Sequence, residues 1–571
     1  MAKTSSSTQP QYDVVIVGGG ISGVYSGWRL MTADVKQSPI LKKWAGKDKL
    51  KVAVFEGSGR IGGRLLTARP QGFPDTVCEL GGMRYVSSQT LIRSLVENEL
   101  KLKRFEQVVA KPENIAYIRG KQIREGDLTS PGLLPYDLTW AEQENVLKED
   151  PSGLLGWAVA KLLPGVNQFT GADLEKYLQY AKIDGVPLYK IGFWNLIAKA
   201  LSPEAYQLSR TLVGYDCLGS NVNAVDLSTE YFEFTPGVHY YLFNQGYDTV
   251  PWELEQRFKS AGGEVIQDSW VEGFDKITLD DGTVGVKVNF RDHKKASVIA
   301  RAIILAVPRR SLELLKPEGP VLDPEKSPAF QNMLHSVEPI PLYKIFLAYP
   351  YPWWTAVGVS QGRSLTDLPI RQCYYWPVVP GDNVTPSPYG HALTMSYNDA
   401  SSVDFWAGLA QPRRKRDPKL GLIQRNPADQ HEAFLSKPLP QTAAAKDPYS
   451  QRLRENWDKH KATAAMVEEM HRQLVQMHNV ALAPEPVDAA FIDWSADPYG
   501  GGVHLWKRGY KSWEMLEDIT QPVDDFPCYI CGEAYSTNQT WAEGSLQTAE
   551  IVLQKRLLLD APAWITANPK N

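Results

Sequence analysis

The chain has 571 residues, 43% of them hydrophobic and 17 of them tryptophan, a length too great for one hydrophobic core and suited to about two to four domains. Against 65 acidic side chains stand 61 basic ones, a net charge of −4, so no field favours nucleic acid or an anionic membrane. No apolar run reaches the roughly 18 to 20 residues of a membrane crossing, and residues 1–11 carry neither an apolar secretion core nor a twin-arginine signal. The expectation is a soluble cytoplasmic protein with no nucleic-acid or membrane partner.

The first predicted element is the strand Asp13-Val14-Val15-Ile16-Val17, which runs into Gly18-Gly19-Gly20-Ile21-Ser22-Gly23. This strand-turn-helix pattern suits a dinucleotide. Gly18 lets the chain turn off a buried strand, Gly20 lets the backbone approach a pyrophosphate, and Gly23 lets the helix pack closely on the sheet. The helix start, with Ser22, offers free N–H groups to phosphate oxygens. A second strand, Val52-Ala53-Val54-Phe55, ends at Glu56, an acid placed to accept from ribose hydroxyls and to repel a 2′-phosphate, which disfavours NADP. The interval before Glu56 exceeds the usual distance of about 20 residues, and the polar, Lys-rich residues 32–50 read as an extended loop. Gly59-Arg60-Ile61-Gly62-Gly63-Arg64 follows directly. Its Arg64 supplies a fork for phosphate oxygens, a second clamp that FAD needs and a nicotinamide cofactor does not.

Helical spacing recurs over 140–149, 153–163, 172–181 and 203–214, between Pro and Gly punctuation, and predicts a helical lobe over 136–227. From Gly246 a helix over 249–260, a strand near 264–267, a hairpin signal at Asp280-Asp281-Gly282 and an apolar strand over 302–307 return the chain to the cofactor sheet. Between 343 and about 506, strand-like runs alternate with a charged insert, 407–449, and an amphipathic helix over 455–478. The insert, with Arg413-Arg414-Lys415-Arg416 and many prolines, reads as a solvated surface excursion, since no aromatic ladder accompanies its charge. The five cysteines, Cys78, Cys217, Cys373, Cys528 and Cys531, are sparse and odd in number, which argues for a reducing compartment. Cys528 and Cys531 have redox spacing but no following helix signal, and read as buried thiols. No metal site is expected.

Several separate motifs then fall into one pattern. Glu79-Leu80-Gly81-Gly82-Met83-Arg84-Tyr85, Tyr343-Lys344-Ile345-Phe346-Leu347, Gly362-Arg363-Ser364-Leu365-Thr366-Asp367-Leu368-Pro369, Tyr397 in Leu393-Thr394-Met395-Ser396-Tyr397, Cys531-Gly532-Glu533-Ala534 and Thr540-Trp541-Ala542-Glu543-Gly544-Ser545 together resemble the flavin-dependent amine oxidases, L-amino-acid oxidase branch, over most of the chain. The resemblance implies an α/β fold: a Rossmann-like FAD-binding domain (1–92, 242–325 and 521–571), a mixed-sheet substrate domain (93–135, 228–241 and 326–520) and the inserted helical lobe (136–227). It implies non-covalent FAD, because Val503 stands near the place where monoamine oxidases carry the cysteine that bonds the flavin. Contacts to FAD would come from Gly18, Gly20, Ser22, Gly23, Glu56, Gly63, Arg64, Gly81, Gly82, Met83, Arg84, Val271, Gly532, Glu533, Trp541 and Ala542, with Glu533 on the ribitol chain and the helix from Glu543 directing its positive end at the flavin.

For the substrate, the resemblance gives Arg84 and Tyr397 to the α-carboxylate, where a planar guanidinium grips two oxygens and a simple amine would leave its charge unpaired. Lys344 would hold a water against flavin N5 and assist reoxidation, with burial lowering its pKa. Trp541 would form one wall of an aromatic cage, the Thr540 carbonyl would accept from the substrate amine, although many members have glycine there, and His504 would stand on the opposite wall. The implied reaction passes hydride from the substrate α carbon to flavin N5, then electrons to O2, releasing 2-oxo acid, ammonia and hydrogen peroxide, in a homodimer or higher homo-oligomer. Venom members carry a histidine, proposed as a base, where this chain has Asp226 and Glu230. Either no base is needed or this acid recognises a cationic side chain such as arginine or lysine. Three alternatives stand beside this reading: an amino-acid 2-monooxygenase giving an amide, a monoamine or polyamine oxidase, against which Arg84 speaks, and a dinucleotide-binding scaffold with no use for Lys344 and Trp541.

Overall fold

The computed structural model describes residues 8–565 apart from 47–48, 131, 149–152, 217–220, 234–236, 381–392, 411–413, 417–422 and 426–447. Tyr12–Val17 is the centre of the first sheet because nothing in it needs water: Val14, Val15 and Ile16 are fully buried. It pairs in parallel with Val52–Phe55 on one side and Val298–Leu305 on the other. Glu264–Ile266 extends the sheet beyond Val52–Phe55. Val298–Leu305 divides its other edge, its first half pairing with the hairpin Val271–Thr278/Val284–Phe290 and its last residues with Cys528–Ile530. Five parallel strands therefore end on one rim, the usual place for a ligand in an open α/β sheet. Gly18 turns the chain there at φ +103°, and a Cβ on Gly23 would lie 1.9 Å from the Gly18 carbonyl oxygen, so the helix Ile21–Thr32 can seat on the sheet only through glycine.

The second sheet runs in the order Asp488–Asp493, Leu342–Ala348, Leu393–Asp399, Gln372–Tyr375, Gly362–Thr366, Ile115–Ile118, Lys121–Arg124. All its pairings are antiparallel except that of Gly362–Thr366 with Ile115–Ile118. Helices Trp140–Lys148, Leu154–Leu162, Gly171–Tyr180, Phe193–Ala200, Pro203–Val213 and Ala224–Glu233 make the lobe between them. The architecture is α/β, a Rossmann-like unit and a mixed sheet joined by helices. Among the described residues, no helix is long and apolar enough to cross a membrane.

Three local expectations are corrected. Residues 32–50 are not an extended loop: Val35–Gln37 makes a short turn of helix and Pro39–Ala45 an α-helix. Ser38 caps that helix by accepting from Leu41 N at 3.1 Å, Pro39 opens it, and Leu41 is fully buried; the lysines only mask its apolar side. The single helix expected over 455–478 is two, Pro448–Asp458 and Ala464–His478. Lys461 leaves to bridge Ala490, and the Thr463 hydroxyl starts the second helix by accepting from Met466 N. The insert begins later than 407, since Ala407 and Ala410 belong to the helix Ser401–Ala410, and ends before Pro448. Most of it lies outside the described residues, apart from the paired strands Arg414–Arg416 and Ile423–Arg425. Cys78, Cys373, Cys528 and Cys531 are buried free thiols; Cys217 lies outside the described residues.

The first and last helices of the cofactor unit are locked by one buried ion pair. Arg29 Nε donates to Glu550 Oε1 at 2.9 Å, both side chains being 6% exposed, and the Tyr25 hydroxyl donates to the same carboxylate. Glu550→Gln leaves a buried guanidinium without its countercharge, which costs about 3 to 5 kcal/mol; urea denaturation should show a lowered midpoint with an unchanged slope, their product giving a loss of that size.

Candidate active site

One cavity of about 1690 Å³ opens on the rim where the parallel strands end and continues to the second sheet and the helical lobe. That exceeds the roughly 300 to 1,000 Å³ of a site for one small ligand. It suits a dinucleotide together with a substrate.

At the sheet end the lining includes Gly18, Gly20, Ser22 and Glu56, then Ala306 and Gly532 from two further strand ends. Gly20 is the cradle: a Cβ built on it meets nothing within 4 Å and would stand in the void a phosphate needs. Glu56 ends its strand and accepts from Gly19 N at 2.7 Å, which fixes the turn. Gly23 does not line the cavity; its place is the helix-sheet contact described above. Gly63, Arg64, Gly81, Gly82, Met83 and Val271 line the next stretch. These residues fit a dinucleotide-linked flavin, whose phosphates would lie on the glycine turn and whose ring would pass Gly81 and Gly82.

The Arg64 fork is held by the protein. Its Nη1 donates to the Gly502 carbonyl and its Nη2 to Glu533 Oε2, each at 2.8 Å. Glu533 in turn accepts at Oε1 from His504 N at 2.8 Å and Thr540 N at 3.0 Å, and His504 Nδ1 lies 3.0 Å from Oε2. Burial alone would raise this carboxyl, but Arg64 and His504 outweigh it and bring it down to about 2. Glu533 lines the cavity, as expected of a cofactor contact, with its oxygens also held by protein donors. One expectation is corrected. His504 does not face substrate: Val503 and Leu505 line the cavity, and strand alternation turns His504 to the opposite side, fully buried against Glu533.

Arg84, Lys344, Tyr397, Thr540, Trp541, Ala542 and Glu230 all line the same cavity. Lys344 and Tyr397 are direct cross-strand partners, so both side chains leave one face of the sheet; Lys344 Nζ lies 5.1 Å from the Tyr397 ring centre. Nζ donates to the Glu79 carbonyl at 2.9 Å and to that of Gly81. Burial lowers Lys344 to about 7, Arg84 pushing the same way and Glu79 opposing. The Glu79 carboxyl is itself raised to about 8 by burial and by Asp248. Arg84 is 9% exposed, donates from Nη1 to Gln107 Oε1 at 2.9 Å and stacks its Cζ 4.2 Å over Tyr240. Among the described residues it has no acidic partner.

Glu230 accepts from the Thr540 hydroxyl at 3.4 Å, while burial raises it to about 7. Asp226, one turn earlier on the same helix, does not line the cavity and bonds Ser512 instead; the acidic pair expected there reduces to one. Thr540 holds φ +72°, a left-handed conformation rare for a β-branched residue and common for glycine. The expectations missed Arg363 and Tyr215, which also line this end. Arg363 gave the same signal as Lys344, a charge inside a strand pattern.

A family profile described as flavin containing amine oxidoreductase matches residues 41–419. Aplysianin-A of Aplysia kurodai is 26% identical over 566 residues, covering 95% of this chain and 89% of that protein. An L-amino-acid oxidase of Crotalus adamanteus is 26% identical over 401 residues, covering 69% and 68%. Among solved structures, wild-type putrescine oxidase bound to putrescine aligns with a TM-score of 0.61 at 16% identity, over 96% of this chain and 99% of that one, a likeness of fold. The profile begins after the glycine turn, so the dinucleotide cradle and the profile are separate observations. Together they make FAD the cofactor, and the chain belongs to the flavin-containing amine oxidoreductase family.

Proposed function

We propose that this protein is an FAD-dependent L-amino-acid oxidase that binds its flavin without a covalent bond and favours substrates with a cationic side chain. The observation that carries the amino-acid reading is Arg84, a buried guanidinium that lines the cavity with no acidic partner among the described residues. Such a charge costs several kcal/mol unless something pairs it. A substrate carboxylate does so and an amine does not. The named L-amino-acid oxidase among the relatives supports the same reading.

Bound FAD supplies the acceptor for hydride from the substrate α carbon and passes the electrons to O2. The chain's own part is to orient and to handle protons. Gln107 and Tyr240 hold Arg84 from one side, leaving further N–H donors for two carboxylate oxygens, and Tyr397 gives the carboxylate a second contact. Trp541 and Thr540 bound the place of the amine, with Glu230 behind them. Lys344 Nζ, fixed by two backbone carbonyls, sits where it can hold a proton or a water and release it near neutral pH. The apolar lining drawn from the helical lobe keeps bulk water from the reacting carbon.

The reading is tested by anaerobic flavin bleaching with L-amino acids, D-amino acids and amines. Arg84→Met should retain flavin and lose roughly a hundredfold in kcat/KM toward L-amino acids, the consequence of truncating one side of a buried charge pair; an unchanged value removes the amino-acid assignment. Lys344 gives up its proton as pH rises through about 7, so the rate of reoxidation by O2 should change across that pH in the wild type, and in Lys344→Met it should be slower and flat. Glu230→Gln should lower the ratio of arginine to leucine turnover by about tenfold, measured by peroxide release. Acid precipitation should leave all the flavin in the supernatant.

A further inference from the structure

The positive end of the cavity holds a second guanidinium. Arg363, on Gly362–Thr366, stands directly across from Tyr374 on Gln372–Tyr375. It donates from Nη1 to Gln372 Oε1 at 3.0 Å and also bonds the Tyr374 hydroxyl. That hydroxyl lies 3.1 Å from the hydroxyl of Tyr215, and the Tyr215 ring meets Tyr397 edge-on at 5.3 Å. On its other side the Tyr374 ring lies 5.8 Å from Arg84 Cζ. One phenol thus stands between two guanidiniums, on a chain of contacts that leads to Tyr397.

Neither guanidinium makes an ion pair with a carboxylate among the described residues; Glu125 acts on Arg363 only from a distance. Two buried like charges with nothing between them repel strongly. Among the described residues, Tyr374 both bonds Arg363 and lies with its ring 5.8 Å from Arg84 Cζ, and its phenol can carry the opposite charge. Its neighbours behave differently: burial and the Tyr374 hydroxyl hold Tyr215 well above the ordinary tyrosine range. Burial would raise Tyr374 too, but Arg84 and Arg363 outweigh it and keep its phenol below that range.

We propose that Tyr374 is a positioning residue of the carboxylate clamp: bonded to Arg363 and Tyr215, its oxygen supplies the countercharge that lets Arg84 wait, charged and without an acidic partner, for the substrate. The inference rests on the amino-acid reading of the site and adds the charge balance behind it. When Tyr374 is ionised, one carboxylate brings two guanidiniums to neutrality. A carboxylate-free amine leaves one positive charge over, so the pair Tyr374 and Arg363 sets how strongly the site rejects amines. Tyr374 itself does not touch substrate; it acts through Arg84.

The test uses the flavin-loaded enzyme and the variants Tyr374→Phe, Arg363→Gln and Arg363→Lys. Binding of an amine-free carboxylate, 4-methylpentanoate, is read from the perturbed flavin absorbance and requires no turnover. Tyr374→Phe removes the negative charge beside Arg84 and is expected to tighten that binding and lower KM for L-amino acids about tenfold, while bleaching at saturating substrate stays within about twofold, the pattern of a change in uniform binding. Arg363→Gln removes a positive charge and should act in the opposite sense, weakening carboxylate binding and raising KM, and Arg363→Lys should recover part of that loss. In pH difference spectra the wild type should show a phenolate band below the ordinary tyrosine range that Tyr374→Phe lacks. Unchanged carboxylate binding and KM in Tyr374→Phe overturn the proposal, as does a pH difference spectrum identical to that of the wild type. A wild-type enzyme that binds no carboxylate and bleaches only with amines overturns the amino-acid reading itself, and is told apart because it appears before any variant is made.

Discussion

A single buried carboxylate, that of Glu533, ties together three segments that the chain delivers from far apart. Arg64 comes from the loop after the second strand, His504 from a strand of the substrate side, and Thr540 from the turn before the last long helix. Each donor alone is a modest interaction; a carboxylate with all its acceptor sites filled is shielded from water and fixed in direction. The segments it binds carry the second glycine loop, Val503 and Trp541 to the wall of one cavity. Glu533 therefore builds the cofactor site chiefly by holding together the segments that line it.

The same division between residues that build and residues that face the ligand runs through the reactive end. Lys344, Tyr397 and Arg84 reach the cavity from a rigid sheet and from the segment that follows Glu79. Behind them, Glu79 accepts from Tyr247 N at 2.8 Å and from the Thr67 hydroxyl at 2.9 Å, while Asp248 pairs with Arg452 at 3.2 Å. Acidic groups stand behind and basic groups in front, with Arg84 facing the cavity.

Much of this was legible in the residues. Gly18, Gly20 and Glu56 gave the dinucleotide turn because only a few residue types satisfy that backbone, and Lys344 gave itself away as a charge in an apolar strand. What escaped was of two kinds. Short helices such as Pro39–Ala45 hide behind lysines, since the capping hydroxyl and one buried leucine carry little weight against a charged composition. Side-chain direction was the second: motif position brought His504 and Asp226 near the substrate, but strand alternation turns one away and helix rotation the other. Tyr215 was missed because a tyrosine in a loop announces nothing until the fold sets it against a partner, whereas Arg363 carried the signal of Lys344, a charge inside a strand pattern, and was passed over.

The burial of the cysteines acquires a meaning once the site is an oxidase site. Hydrogen peroxide attacks sulfur as thiolate, and Cys78, Cys373, Cys528 and Cys531 are withdrawn from solvent, burial raising every one of them above the ordinary thiol range. Cys531 adjoins Gly532 on the cavity wall, yet its sulfur is directed into the packed helix behind, beside Ser22 and Ser26. Met83, by contrast, lines the cavity itself. Ageing through its own product would then begin at a thioether, a lesion that repair enzymes can reverse, and spare the thiols, whose deeper oxidation they cannot.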